Sequence, residues 1–175
     1  MTENLLLVGP MGAGKSTVGR YLASRLSYTF VDTDHLIEER AGADIPWIFD
    51  VEGEPGFRAR ETATLDSLLG VERHVIATGG GIVIRPENHD KLKALGKVIY
   101  LTASADQLLS RTAKDKKRPL LQVADPRSRI EELLQQRDPL YRQLADHVLQ
   151  TDGRSSKWVV QHILHWLDTP QQNTL

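Results

Sequence analysis

The sequence predicts an α/β domain in three layers, a five-stranded parallel sheet with helices on both faces. Two observations carry this. Short apolar runs at Leu5–Val8, Thr29–Val31, Val75–Ala77, Val98–Leu101 and His147–Leu149 alternate with stretches of helical periodicity. That alternation is the mark of βα units around a sheet covered on both sides. After the first run comes Gly9-Pro10-Met11-Gly12-Ala13-Gly14-Lys15-Ser16, which fits G-x-x-x-x-G-K-[ST] at every fixed position. A chain of 175 residues fits one domain with a sizeable core.

Leu5–Val8 reads as a buried strand, and Val18, Leu22 and Leu26 fall at helical spacing behind the glycine loop. Strand, loop and helix are the context that the phosphate-binding motif requires. Its glycines let backbone N–H groups turn toward phosphate oxygens, and the helix start adds positive field. Gly12, Ala13, Gly14, Lys15, Ser16 and Thr17 form the expected phosphate-binding set, with Lys15 reaching the terminal phosphates and Ser16 holding Mg²⁺.

The second strand ends Val31-Asp32-Thr33-Asp34. Alternation puts both carboxylates on one side of an extended backbone, at the strand end where ligands of open α/β sheets sit. One carboxylate suits the hydrated metal, the other an attacking hydroxyl. Another reading makes Asp34 the cap of a helix running through Ile37 to Gly42. Ile45–Val51 reads as a short apolar turn, broken by Gly53, Pro55 and Gly56. A helix then runs from Phe57 to Leu69 with Leu65, Leu68 and Leu69 on one face. This exceeds a simple crossover, so residues 34–70 are expected to form a substrate-binding lobe.

The third strand runs into Gly79-Gly80-Gly81, read either as backbone against which a ligand lies or as a flexible turn. No acidic residue ends that strand, so Asp32 takes the metal-orienting role usual there. Arg111, Lys114, Lys116, Lys117 and Arg118 crowd one segment closed by Pro119-Leu120-Leu121. Alone it reads as a solvated loop; in a phosphate-binding chain it reads as a mobile lid over 112–126. Ser128-Arg129-Ile130-Glu131 reads as a capping box, and Pro139 should kink or break that helix after Arg137. Ser155 or Ser156 caps a last helix striped by Val159, Ile163, Leu164 and Leu167, and the tail from Pro170 should fray. Trp158 and Trp166 read as core, and His162 and His165 lack an acidic partner at metal spacing.

The formal net charge of -1 gives no argument for nucleic-acid binding, and no apolar run approaches membrane-spanning length. With no cysteine there are no disulfides. Thr2, Glu3 and Asn4 do not read as a signal region, so a cytoplasmic protein is expected.

Gly9 to Thr17, Asp32-Thr33-Asp34, Phe57-Arg58-Ala59-Arg60-Glu61, Gly79-Gly80-Gly81, Arg118-Pro119-Leu120-Leu121 and Arg137-Asp138-Pro139-Leu140-Tyr141 together resemble the shikimate kinases. These are small members of the nucleoside-monophosphate-kinase-like P-loop fold, and the match spans nearly the whole chain. The resemblance implies ATP-dependent phosphorylation of the shikimate 3-hydroxyl, in the chorismate route to aromatic amino acids. It implies that Asp34, Arg58, Gly79, Gly80, Gly81 and Arg137 hold shikimate, with both arginines on its carboxylate and Asp34 as base. Asp32 and Ser16 would serve Mg²⁺. Lys15, Asp34 and Arg118 would be the catalytic set, with Arg118 closing on the ATP phosphates. Arg111 would stack near adenine, and the loop Thr151 to Ser156, with Arg154, would complete the base pocket. The expected state is a monomer with a small-molecule substrate and no nucleic-acid or membrane partner. One rival is a gluconate or nucleotide kinase of the same fold. Another is a nucleotide-binding module without turnover, against which the intact Lys15, Ser16, Asp32 and Asp34 argue.

Overall fold

In a computed structural model describing residues 3–113 and 118–170, the chain begins with β1 (Asn4–Val8), α1 (Lys15–Leu26), β2 (Thr29–Asp32), α2 (Thr33–Ala41) and α3 (Ile45–Leu68). It continues through β3 (His74–Ala77), α4 (Pro86–Leu95), β4 (Gly96–Thr102) and α5 (Ala105–Thr112). A 3-10 turn at Pro119–Leu121 leads to α6 (Pro126–Leu144), β5 (His147–Gln150) and α7 (Ser156–Asp168). Lys114, Lys116, Lys117 and the tail beyond Pro170 lie outside the described residues.

The strands form one parallel sheet in the order β2-β3-β1-β4-β5. β1 sits centrally, pairing Leu7 with Ala77 on one side and Ile99 on the other. Its residues alternate between two cores. Leu5 and Leu7 pack with Val18 and Leu22 of α1 and Val160 and Ile163 of α7. Leu6 and Val8 pack on the other face with Leu65, Leu68, Leu92 and Tyr141. This is why the apolar runs are continuous rather than alternating. The chain leaves β1 toward one edge of the sheet and later returns to its other side. The carboxyl end of β1 is therefore a switch point, the place where such sheets bind ligands. A third small core of Ile37, Ile48 and Phe57 fastens α2 to α3.

Several local expectations need correction. Asp32, not Asp34, caps α2: its Oδ1 accepts from the N–H groups of Asp34 and His35 at 3.0 and 3.2 Å. Asp34 therefore lies in the first helical turn and does not share an extended backbone with Asp32. Gly42 ends α2 in the left-handed conformation, as expected. The Ile45–Val51 stretch is helical, opened by Asp44 as cap, and α3 breaks only at Gly53 (φ 72°). Leu65 and Leu68 are buried but Leu69 caps the helix end, exposed. α6 starts three residues ahead of the expected box, because Asp125 accepts from Ser128 N–H and Pro126 opens the helix. It also runs through Pro139 unbroken. Gln135, whose carbonyl loses its helical donor, is exposed, so water can replace that bond. The stripe of Ile130, Leu133, Tyr141 and Leu144 buried along α6 outweighs the missing rung. Ser155 caps α7, while Trp158 and Trp166 pack half-buried at the core's edge.

Candidate active site

The loop between β1 and α1 leaves its donors open. Gly14 is the N-cap of α1 in the left-handed conformation (φ 93°), with no side-chain cap and no acidic residue in the first turn. The first N–H groups of α1 are thus available to an anion. Lys15 is buried and its Nζ donates to the carbonyls of Gly9 and Pro10 at 2.7 and 2.8 Å. Burial, followed by the charge of Arg118, lowers its pKa to about 7. Ser16 Oγ donates to Asp32 Oδ2 at 2.5 Å. Asp32 thus uses one oxygen on the helix and the other on the P-loop serine. Among the described residues no cluster of three or more metal-binding side chains occurs. The Ser16 and Asp32 oxygens do suit Mg²⁺, which keeps most of its waters and needs few protein ligands. Thr17 and Arg111 line the same cleft, and Arg111 Nη1 donates to the Gly12 carbonyl at 3.0 Å.

Beyond the P-loop, α2, α3, α6 and the loop after β3 meet. Asp34, Arg58, Glu61, Gly79, Gly80, Gly81, Arg118 and Arg137 face one cleft. Arg58 and Arg137 are 7% and 5% exposed. Arg58 donates to Glu61 Oε1 at 2.7 Å and Glu54 Oε1 at 3.1 Å. Burial pulls its pKa down, but Glu61 and Glu54 outweigh this and hold it raised. Arg137 makes no ion pair among the described residues. Burial, with the field of Arg58, lowers its pKa. A buried guanidinium without a carboxylate calls for an anion. Asp34 is pushed up by burial and by Asp32, and its Oδ2 stands 3.8 Å from Arg118 Nη1.

The three glycines give way to side chains. A Cβ on Gly79 would come within 2.6 Å of Asp34 Oδ1 and 3.0 Å of Glu61 Oε2. One on Gly81 would overlap the Arg58 guanidinium. Gly80 packs against the P-loop backbone, with Arg137 Nη1 at 3.7 Å from its Cβ position. None of them adopts the left-handed conformation, so close approach, not turn geometry, requires glycine here. The loop is pinned by Gly79 N–H to Thr33 Oγ1 at 3.1 Å and by Tyr141 OH to the Gly80 carbonyl at 2.5 Å. Glu61, Thr33 and Tyr141 had no role assigned from the sequence. The spacing Glu54-x-x-x-Arg58-x-x-Glu61 is a helical ion-pair pattern and was the available signal.

Arg154 stands apart from the other expected residues. Its guanidinium lies over the Trp158 ring at 4.3 Å. The Thr151–Ser155 loop is fastened to α5 by Gly153 N–H to Gln107 and by Asp152 accepting from Ser104 N–H.

A family model described as shikimate kinase matches residues 11–168. The chain belongs to the shikimate kinase family. It is 57% identical over 162 residues to a shikimate kinase of Pseudomonas syringae pv. tomato, covering 93% of this chain and 94% of that one. Identity to a shikimate kinase of Vibrio parahaemolyticus is 53% over 166 residues, covering 95% and 96%. Among solved structures, shikimate kinase from Acinetobacter baumannii in complex with shikimate superposes with a TM-score of 0.93 at 47% identity, covering 95% and 93%. A deoxyadenosine kinase from M. mycoides with bound dATP superposes at 0.63 with 14% identity, covering 95% and 100%. That likeness extends the fold to nucleoside kinases and says nothing of substrate. Arg58 and Arg137 line a pocket adjoining that of the P-loop, the two sharing Asp34, Gly79, Gly80 and Arg118.

Proposed function

We propose that this cleft carries out the family's reaction, transfer of the ATP γ-phosphoryl group to the shikimate 3-hydroxyl, with its residues in distinct roles. The observation that carries the reading is Arg137, buried without a carboxylate partner among the described residues, in one cleft with Arg58 and Asp34. A small acid bearing hydroxyls supplies what both ends lack: a carboxylate for the guanidiniums and a donor for Asp34. Gly12, Ala13, Gly14 and Thr17 present backbone N–H groups to the phosphates. Lys15 leaves the loop carbonyls for the terminal phosphates, and Arg118 leaves Asp34 for the same charge. Ser16 and Asp32 would hold Mg²⁺, which would supply positive charge against the phosphates. Asp34 orients the attacking hydroxyl and takes its proton as the oxygen bonds to phosphorus and ADP departs. Little covalent work falls to the protein, so positioning and charge neutralisation dominate. Arg111 borders the nucleotide, and Arg154 on Trp158 edges the base pocket. The 34–70 lobe and the segment around Arg118 close the two ends. One chain supplies every group, which supports a monomer, and use of ATP is in keeping with a cytoplasmic enzyme.

A coupled ADP-release assay tests this with ATP and shikimate, gluconate or a nucleoside as acceptor. Release dependent on shikimate alone is expected, with shikimate methyl ester a poor substrate. Equal turnover of the ester would overturn the arginine clamp, and turnover of gluconate or nucleoside alone would overturn the acceptor.

A further inference from the structure

Two buried oxygens in the acceptor cleft have no hydrogen-bond partner among the described residues, Asp34 Oδ1 and Glu61 Oε2. They come from different helices and converge over Gly79, 2.6 and 3.0 Å from the position a Cβ would take there. Glu61 is fully buried, and its other oxygen is fixed by Arg58 Nη1 at 2.7 Å. Oε2 is left on the side of Gly79, close to the same point as Asp34 Oδ1. The catalytic reading uses Asp34 and explains Oε1 as the counter-ion of Arg58, but it leaves Oε2 without a purpose. Two facing carboxylate oxygens repel unless one carries a proton.

We propose that Glu61 is a positioning residue for Asp34: protonated on Oε2 when the acceptor is bound, it donates to Asp34 Oδ1 across Gly79. This rests on the reading of Asp34 as the base. The bond fixes one carboxylate oxygen and leaves Oδ2 for the substrate hydroxyl. The groups that face Glu61 fit this. Burial raises its pKa to about 7, Arg58 on its own helix opposes that rise, Asp34 on α2 adds to it and Arg137 on α6 opposes it. The Gly79–Gly81 loop brings no charge. An acceptor carboxylate bound to Arg58 and Arg137 shares their field and adds negative charge, so Glu61 then holds its proton more tightly. Acceptor binding therefore draws a proton from solvent at neutral pH. Acceptor affinity falls as pH rises above 7, by at most about tenfold per unit for a single linked proton.

The test uses Glu61→Gln, whose amide copies the neutral acid: Nε2 donates to Asp34 while Oε1 still accepts from Arg58. Calorimetric titration of shikimate at pH 7, in buffers of different ionisation heat, should show uptake of a fraction of a proton by wild type and a smaller uptake by Asp34→Asn, which lacks the charge that helps hold it. Glu61→Gln should show none, and its affinity should be level with pH. Its kcat should stay within about threefold of wild type, since no group needed in the transition state is lost. Glu61→Leu, which has no donor, should lose about 10- to 100-fold, the scale for an orienting partner. Absence of proton uptake by wild type overturns the proposal without any variant having to fold. So does Glu61→Gln being as slow as Glu61→Leu. Full activity of Asp34→Asn would instead remove the underlying base reading and leave the proton uptake of Glu61 standing.

Discussion

The two halves of the cleft are built by opposite means. The nucleotide half is mostly backbone: consecutive residues from Gly9 to Ser16, an uncapped helix start, and one buried lysine folded onto loop carbonyls. The acceptor half is mostly side chain: Asp34, Arg58, Glu61 and Arg137 arrive from three helices and meet where three glycines withhold their Cβ atoms. A backbone site is specified locally and survives in any fold that offers strand, loop and helix. A side-chain site exists only once the core has placed its helices, and its charges are tuned by mutual burial. Glu61 and Glu54 hold the Arg58 pKa raised against burial, whereas burial and the charge of Arg118 depress Lys15 despite Asp34 and Asp32.

The sharpest break between the halves is expected from Asp34→Asn and Lys15→Met. Asp34→Asn should lower kcat by roughly 10²–10⁴-fold, the span for an acid–base group, with ATP binding little changed. Lys15→Met should lower kcat by about 10²-fold or more. Their stabilities should differ in kind. The folded pKa of Lys15, about 7, lies below its ordinary 10.5. Between those values the unfolded chain binds more protons, so ligand-free stability gains from Lys15 as pH rises from 7 to 10.5. Lys15→Met should abolish that gain and be at least as stable as wild type at pH 7, by thermal melts across pH. Near-normal turnover in either folded variant would refute its assignment.

Legibility follows the same division. The sheet and the P-loop were readable because their signals are contiguous: five apolar runs and one motif. Both aspartates were readable as a pair, but not which one caps α2, since that depends on where β2 gives way to helix, a matter of one residue. The Pro139 break failed because buried stripe residues on α6 outweigh one lost rung. Arg58 and Arg137 are far apart in sequence, and nothing local says that both are buried or that they meet. Only their place in the family's motifs indicated it. Glu61 stood inside one of those motifs, and its unpartnered oxygen is visible only in three dimensions.

Within the acceptor half, the two arginines offer a finer contrast. Arg58→Ala and Arg137→Ala should each weaken shikimate binding by about 1.5–3 kcal/mol, the worth of a charge-assisted bond, with ATP affinity unaltered. Their effects on folding should separate. Removing Arg58 leaves Glu61 buried without its partner and should destabilise the protein by about 1–3 kcal/mol. Removing Arg137 deletes a buried cation that makes no ion pair among the described residues, so stability should stay near wild type or rise. Denaturant titration and shikimate calorimetry on the same preparations measure both. Equal loss of stability in the two variants would mean Arg137 has a structural counter-charge after all.

The smallest expected effect lies at the seam between the halves, in Asp32. Its Oδ1 accepts from two N–H groups of α2, and its Oδ2 accepts from Ser16. Asp32→Asn keeps the amide oxygen as cap and replaces Oδ2 with an amide NH2 group. That NH2 can donate to Ser16 but cannot accept from the waters of a cation. Stability should therefore change by only a few tenths of a kcal/mol, because asparagine caps about as well as aspartate. Asp32→Ala loses the cap as well and should cost about 1 kcal/mol more. The kinetic consequence should be the same for both: a higher Mg²⁺ requirement, partly rescued by excess metal. Measured as kcat against free Mg²⁺, Asp34→Asn should stay slow at every concentration. Rescue of Asp34→Asn by metal with none for Asp32→Asn would exchange the two roles. Rescue of both would remove the base from the acceptor half, leaving its arginines and glycines as a binding device alone.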